Sequence, residues 1–142
     1  MSDVLPKPAS LQKSILVVDD DQATCLFFKS LLMVDGFEVE TVFDGKEALE
    51  LFKKNPGRRF DLVILDLMMP GSGGYEVLKE LDRPPYPRTP VFIVTAFTLD
   101  KALIAMIKNE PNVLGFWTKP IDNREFKASV HEILGTAPPE RK

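Results

Sequence analysis

Ile15-Leu16-Val17-Val18-Asp19-Asp20-Asp21 is the stretch on which the fold turns, because four apolar residues, three of them β-branched, run without interruption into three carboxylates. A run of this length and kind reads as a strand buried on both faces, as in a parallel sheet. The same grammar recurs in Leu62-Val63-Ile64-Leu65-Asp66, in Val91-Phe92-Ile93-Val94-Thr95 and in Leu114-Gly115-Phe116-Trp117-Thr118-Lys119. Each is an apolar segment that stops on a polar residue. Parallel strands end at a common edge, so these polar residues are predicted to gather where open α/β sheets place their sites.

Working outward, the chain between these runs is helical. A helix is predicted from Gln22 to Val34, with Asp21 as N-cap and Gly36 as stop signal. The strand Phe37 to Val42 follows, and Asp44 can cap a helix from Lys46 to Lys54 that ends at Asn55-Pro56-Gly57. After the strand Leu62 to Asp66, a loop rich in Gly and Pro, Leu67 to Gly74, opens a helix from Tyr75 to Leu81. Residues Arg83 to Pro90 hold too many prolines to be helical and form a stiff connector. Strand Val91 to Val94, a helix from Leu99 to Lys108, strand Leu114 to Thr118 and a helix from Asn123 to Leu134, capped by Asp122 and ended by Gly135, complete the pattern. Five strands alternating with five helices give a flavodoxin-like (βα)5 fold, a doubly wound parallel sheet with strand order 2-1-3-4-5. Residues 1–13 read as a flexible lead-in, 14–135 as one domain and 136–142 as a tail or the start of a linker.

The bulk numbers agree with one domain: 142 residues, 44% hydrophobic, can bury a self-sufficient core. A net charge of -3 from 18 basic and 21 acidic residues, the basic ones scattered, argues against direct nucleic-acid binding. No apolar run is long enough for a membrane span and no signal peptide is apparent, so a cytoplasmic location is expected. Cys25 is the only cysteine, which excludes an internal disulfide.

In strand order 2-1-3-4-5 the first and third strands are neighbours, about 4.8 Å apart, so Asp19, Asp20 and Asp66 should converge. Like charges that close repel unless a cation is present, and a hard oxygen-ligated ion such as magnesium resolves the conflict. Acids, a hydroxyl and an ammonium along one edge are the ingredients of a phosphoaspartate site.

With these residues in view, the chain from about Ile15 to Leu134 resembles the receiver domain of two-component response regulators. The resemblance rests on Val17-Val18-Asp19-Asp20, Asp66-Leu67-Met68-Met69-Pro70-Gly71, Thr95-Ala96 and Lys119-Pro120, in that order at strand ends. It implies that Asp66 accepts a phosphoryl group from a histidine kinase or phosphotransfer protein. It also implies that Mg2+ or Mn2+ is held by Asp20, Asp19, Asp66 and the backbone carbonyl of Met68. Thr95 would hydrogen-bond the phosphoryl group, and Lys119 would pair with Asp66 and then with the phosphate. Ala96 would keep the entrance open, and the Lys119-Pro120 bond is often cis in such domains. Phe116 takes the place of the aromatic switch residue, so a switch here would work by packing, without a hydroxyl. The surface of the fourth helix, fifth strand and fifth helix would then change partners, with an unknown downstream protein as target and homodimerisation as a further expectation. No enzyme activity is implied beyond the domain's own phosphorylation and dephosphorylation. The chain would be a stand-alone receiver or the N-terminal piece of a longer regulator.

Some residues fit this pattern less closely. Met68 and Phe97, at the rim of the site, are apolar and cannot orient water, which predicts slow loss of phosphate. Asn109-Glu110-Pro111-Asn112 stands where a small, Gly-rich turn is common. Asp21 reads as a helix cap, Asp61 as a solvated boundary residue, and His131 as a surface or packing residue with no acidic motif around it. Trp117 either marks an interaction surface or covers a helix. The apolar excess on the first helix, Cys25 to Phe28 with Leu31 to Met33, exceeds one buried stripe and suggests a docking face for the phosphodonor. Two alternatives are open: a pseudo-receiver that binds proteins without taking phosphate, and a haloacid-dehalogenase-like phosphatase, whose Asp-x-Asp motif Asp19-Asp20-Asp21 satisfies. The second acidic cluster of that phosphatase should follow the lysine, whereas Asp66 precedes Thr95.

Overall fold

A computed structural model describes residues 13–54, 60–67, 74–81, 89–96 and 100–139. Its elements in chain order are β1 Ser14–Val18, α1 Gln22–Met33, β2 Glu38–Val42, α2 Gly45–Lys54, β3 Leu62–Leu65, α3 Gly74–Leu81, β4 Val91–Thr95, α4 Lys101–Lys108, β5 Val113–Thr118 and α5 Asn123–Leu134. The five strands form one parallel sheet in the order β2-β1-β3-β4-β5. Both element types and strand order match the sequence reading, and boundaries differ by a residue or two at several ends. One clear difference is α4, whose first residue is Lys101, because the backbone at the cap position Asp100 is extended, with φ of -62° and ψ of 140°.

Strand alternation divides the core. Leu16, Val18, Val63, Leu65, Val91 and Ile93 face a layer built by α2, α3 and α4. Ile15, Val17, Leu62, Ile64, Phe92 and Val94 face α1 and α5. Burial on both faces is what dictates β1, β3 and β4 as continuous apolar runs, and β1 from Ile15, β3 and β4 are fully buried. Each large side chain so buried contributes about 1.5–3 kcal/mol.

On the second face, Phe126 of α5 sits 5.2 Å from Phe28, 5.8 Å from Phe92 and 5.6 Å from Trp117, ring centre to ring centre. Trp117 therefore covers α5, as one of its two readings anticipated. Phe116 lies on the opposite face, packed against the core on the α2, α3 and α4 side. Helix ends follow local chemistry. Asp21 accepts from the Ala23 N–H at 3.2 Å, Asp44 from the Glu47 N–H at 2.7 Å and Asp122 from the Glu125 N–H at 3.0 Å. Glu47 reaches back in turn, accepting at 3.1 Å from the N–H of Phe43, one residue before the cap. Gly135 ends α5 with φ of 66°, a left-handed conformation that side chains disfavour.

Candidate functional site

The carboxyl edge of the sheet gathers Asp19 after β1, Asp66 after β3, Thr95 at the end of β4 and Lys119 after β5. Register explains this: Val18 pairs with Leu65, Leu65 with Ile93, and Thr95 with Thr118, so the strands end almost level. Ligand oxygens of Asp19, Asp20 and Asp66 lie within 4.8 Å of one another. Asp19 and Asp66 are buried, Asp20 exposed. Backbone bonds fix the two buried acids, since the Asp19 N–H donates to the Val42 carbonyl at 3.2 Å and the Asp66 N–H to that of Val18 at 2.9 Å.

Lys119 spans them. Its Nζ is 2.9 Å from Asp19 Oδ2 and 3.1 Å from Asp66 Oδ2. The sequence reading paired Lys119 with Asp66 alone; the closer partner here is Asp19. Its backbone N–H also donates to the Thr95 carbonyl at 2.8 Å, which ties the lysine to β4. The Lys119-Pro120 peptide is cis. Burial works against the ammonium, but the bond to Asp19 and attraction from Asp66 outweigh it and hold the lysine pKa above its ordinary value. Burial is also the main influence on Asp19, reinforced by the charge of Asp66. It keeps the Asp19 pKa above the usual carboxylate value although the Asp21 N–H, at 2.9 Å, and Lys119 pull it down.

Two features bear on what the site can hold. The Thr95 hydroxyl is buried and has no hydrogen-bond partner among the described residues, a cost that an acceptor brought to it would offset. The three carboxylates could hold a metal ion, and as hard oxygen donors they suit magnesium. Cys25 adds no soft ligand: burial pushes its thiol pKa up to about 11, and its Sγ–H donates to the Asp19 carbonyl at 3.2 Å. Gly74, first residue of α3, packs against the same site. A Cβ there would lie 2.5 Å from the Asp66 carbonyl oxygen and 3.0 Å from Leu67 Cα, so α3 can approach only without a side chain.

Asp21 caps α1 as read from the sequence, and the Thr24 hydroxyl donates to it at 2.7 Å. Met68 and Phe97 lie outside the described residues. Asp61 corrects its reading as a solvated residue: it accepts from the Ser14 N–H at 2.7 Å and pins the start of β1. His131 is a packing residue, one of its two readings, but it has a partner that the sequence did not disclose. It is buried and 2.7 Å from Asp35 Oδ2, an acid 96 positions away that no local motif could reveal. Burial alone would raise the Asp35 pKa, but the hydrogen bond with His131 and the ammonium of Lys127, 2.9 Å away, hold it below the ordinary value. Sequence reasoning also missed the contact of Lys119 with Asp19, because the convergence of the two acids gave no sign of which lay nearer.

Comparison with known proteins agrees with this geometry. Residues 15–131 match the response regulator receiver domain. Over 120 residues the chain is 36% identical to the transcriptional regulatory protein CpxR of Klebsiella pneumoniae, covering 84% of this chain and 48% of that protein. The crystal structure of a response regulator receiver protein from Burkholderia phymatum superposes with a TM-score of 0.75 at 30% identity, over 90% of this chain and 99% of that one. A CheY-like receiver domain protein from Methanospirillum hungatei gives a TM-score of 0.76 at 27% identity, over 87% and 94%. The chain spans about half the length of relatives such as CpxR.

Proposed function

The chain belongs to the response regulator receiver domain family of two-component systems, and from that premise we propose that Asp66 is its phosphoacceptor. The observation that carries this reading is the meeting of Asp19, Asp20 and Asp66 under the ammonium of Lys119. A carboxylate oxygen of Asp66 attacks the phosphorus of a phosphohistidine on a kinase or phosphotransfer protein. The P–N bond breaks, the imidazole leaves, and an aspartyl phosphate remains. Lys119 holds the Asp66 oxygen before transfer and balances phosphoryl charge afterwards, while the Thr95 hydroxyl donates to a phosphoryl oxygen. Asp19, Asp20, Asp66 and the carbonyl of Met68 would hold Mg2+ or Mn2+. When bound, that ion supplies positive charge against the carboxylates and the phosphoryl oxygens. Most of the work is positioning and charge neutralisation, as phosphoryl transfer requires.

The phosphodonor docks on the outer face of α1, where Leu26, Phe27, Met33 and Val34 are exposed. The output lies on α4, β5 and α5. Phosphoryl charge of about -1.5 to -2 beside Thr95 draws the threonine in and frees space for Phe116, now half-buried with Lys108 Nζ 5.2 Å from its ring centre. A downstream protein, or a second copy of the chain, reads the new surface. The domain takes up one phosphoryl group per cycle and is not a turnover enzyme. Because Met68 and Phe97 cannot orient water, the phosphate is slow to leave. None of the helices among the described residues is long and apolar enough to cross a membrane, which is compatible with signalling in the cytoplasm.

Intact mass after incubation with Mg2+ and acetyl phosphate tests the central step. The expected result is a gain of one phosphoryl group that Asp66→Ala loses. No gain from either acetyl phosphate or phosphoramidate would favour a pseudo-receiver, and turnover of a phosphomonoester would point to a phosphatase. Met68→Asn is expected to shorten the phosphate lifetime; an unchanged lifetime removes the apolar rim as the cause.

A further inference from the structure

Away from the acidic cluster, a groove of about 780 Å3 runs along α1 and α5. One wall is the chain's own segment after α5, with Thr136, Pro138 and Pro139, and Leu31 and Arg124 are among the residues of the rest. Beside it lies a buried charge that the phosphoryl chemistry does not use. Asp35, 2% exposed, sits in the turn after α1 and meets two groups of α5. Lys127 Nζ is 2.9 Å from its Oδ1 and His131 Nε2 is 2.7 Å from its Oδ2.

The other nitrogen of His131 completes a chain of contacts, with Nδ1 2.7 Å from Thr136 Oγ1. A carboxylate only accepts, so Nε2 carries the hydrogen shared with Asp35. In a neutral ring Nδ1 then accepts from the threonine hydroxyl; in a charged ring it donates to the hydroxyl oxygen. The contact survives either way. Phe37 lies 5.0 Å from the imidazole, ring centre to ring centre, and restricts its rotation. Gly135 turns the chain back in the left-handed conformation, and the Thr136 N–H donates to the His131 carbonyl at 3.0 Å. Segments that follow a terminal helix fray unless something ties them down. Here the tie runs to a buried ion pair.

We propose that Asp35, His131 and Thr136 form a clasp that holds the segment following α5 along the α1 and α5 groove. One buried carboxylate then sets both the width of the groove and the course of the chain beyond α5. The clasp also joins the C-terminal ends of two helices whose N-terminal ends are capped separately, α1 by Asp21 and α5 by Asp122. It requires no phosphoryl group, so it stands whether or not Asp66 is phosphorylated.

Thr136→Val tests this with little change of shape, because it removes the hydroxyl and leaves the buried His131 and Asp35 pair in place. The expected result by NMR is a loss of amide-exchange protection at Thr136 of roughly two- to tenfold, the equivalent of one net hydrogen bond. The Ala137 order parameter should fall below about 0.6, while the melting temperature hardly moves and Thr136→Ser behaves as the unaltered chain does. Equal protection and equal order parameters in the valine variant would overturn the clasp. So would an Ala137 already below that limit in the unaltered protein.

Discussion

Lys119 sets the electrostatics of the acidic edge, since its ammonium bridges the carboxylates of Asp19 and Asp66. Lys119→Met is expected to lower the melting temperature, and millimolar Mg2+ should restore more of it than the ion adds to the unaltered protein. Equal effects of Mg2+ on both would argue that the acids hold no cation. Asp19 sets a pH dependence of its own. Its pKa is raised, chiefly by burial, so protons compete with Mg2+ at a higher pH than for an ordinary carboxylate. Calorimetric Mg2+ affinity should accordingly weaken on acidification before the usual carboxylate range is reached. Asp35 has the opposite sign. Its folded pKa is depressed by His131 and Lys127 against the effect of burial, so its contribution to stability is fully present above the unfolded value of about 3.9 and is lost as pH falls through the folded pKa. Asp35→Asn should therefore be destabilising near neutral pH, with the difference from the unaltered chain shrinking in acid.

At the scale of elements, caps and close approaches decide where helices begin relative to the site. Asp122 starts α5 just after Lys119, and Asp122→Ala should cost about 1 kcal/mol in urea unfolding by freeing the Glu125 N–H. A larger effect is expected at Gly74, where the added methyl of Gly74→Ala meets backbone that cannot rotate away. A cost of about 1–3 kcal/mol is appropriate to such overpacking, and phosphoryl uptake should fall with it because α3 is pushed from the carbonyl of Asp66. Wild-type uptake in that variant would show that the loop between Asp66 and α3 absorbs the displacement. Both elements were legible in advance: Asp122 before a helical run reads as a cap, and Gly74 closes a loop of permissive residues. That the glycine is required by the carbonyl of Asp66 was not legible, because the two meet only when α3 packs back onto β3.

For the whole molecule, the sheet divides labour between its two faces. Phe126 anchors the α1 and α5 face through Phe28, Phe92 and Trp117, and Phe126→Ala should cost about 3–5 kcal/mol in equilibrium unfolding, the full loss of a core aromatic. The other face carries Phe116 under Lys108. Local sequence determined the elements, their order and the family, since buried parallel strands must be continuous apolar runs and their polar ends must share an edge. It also determined the identity of the acids, the hydroxyl and the lysine along that edge. Tertiary structure alone decided which charges meet. Lys119 reaches Asp19 more closely than Asp66, Asp61 ties down β1, and His131 finds Asp35 across 96 residues. The physical reason is range: periodicity and caps are written within a turn or two of chain, whereas a buried ion pair depends on two distant segments packed to within hydrogen-bonding distance.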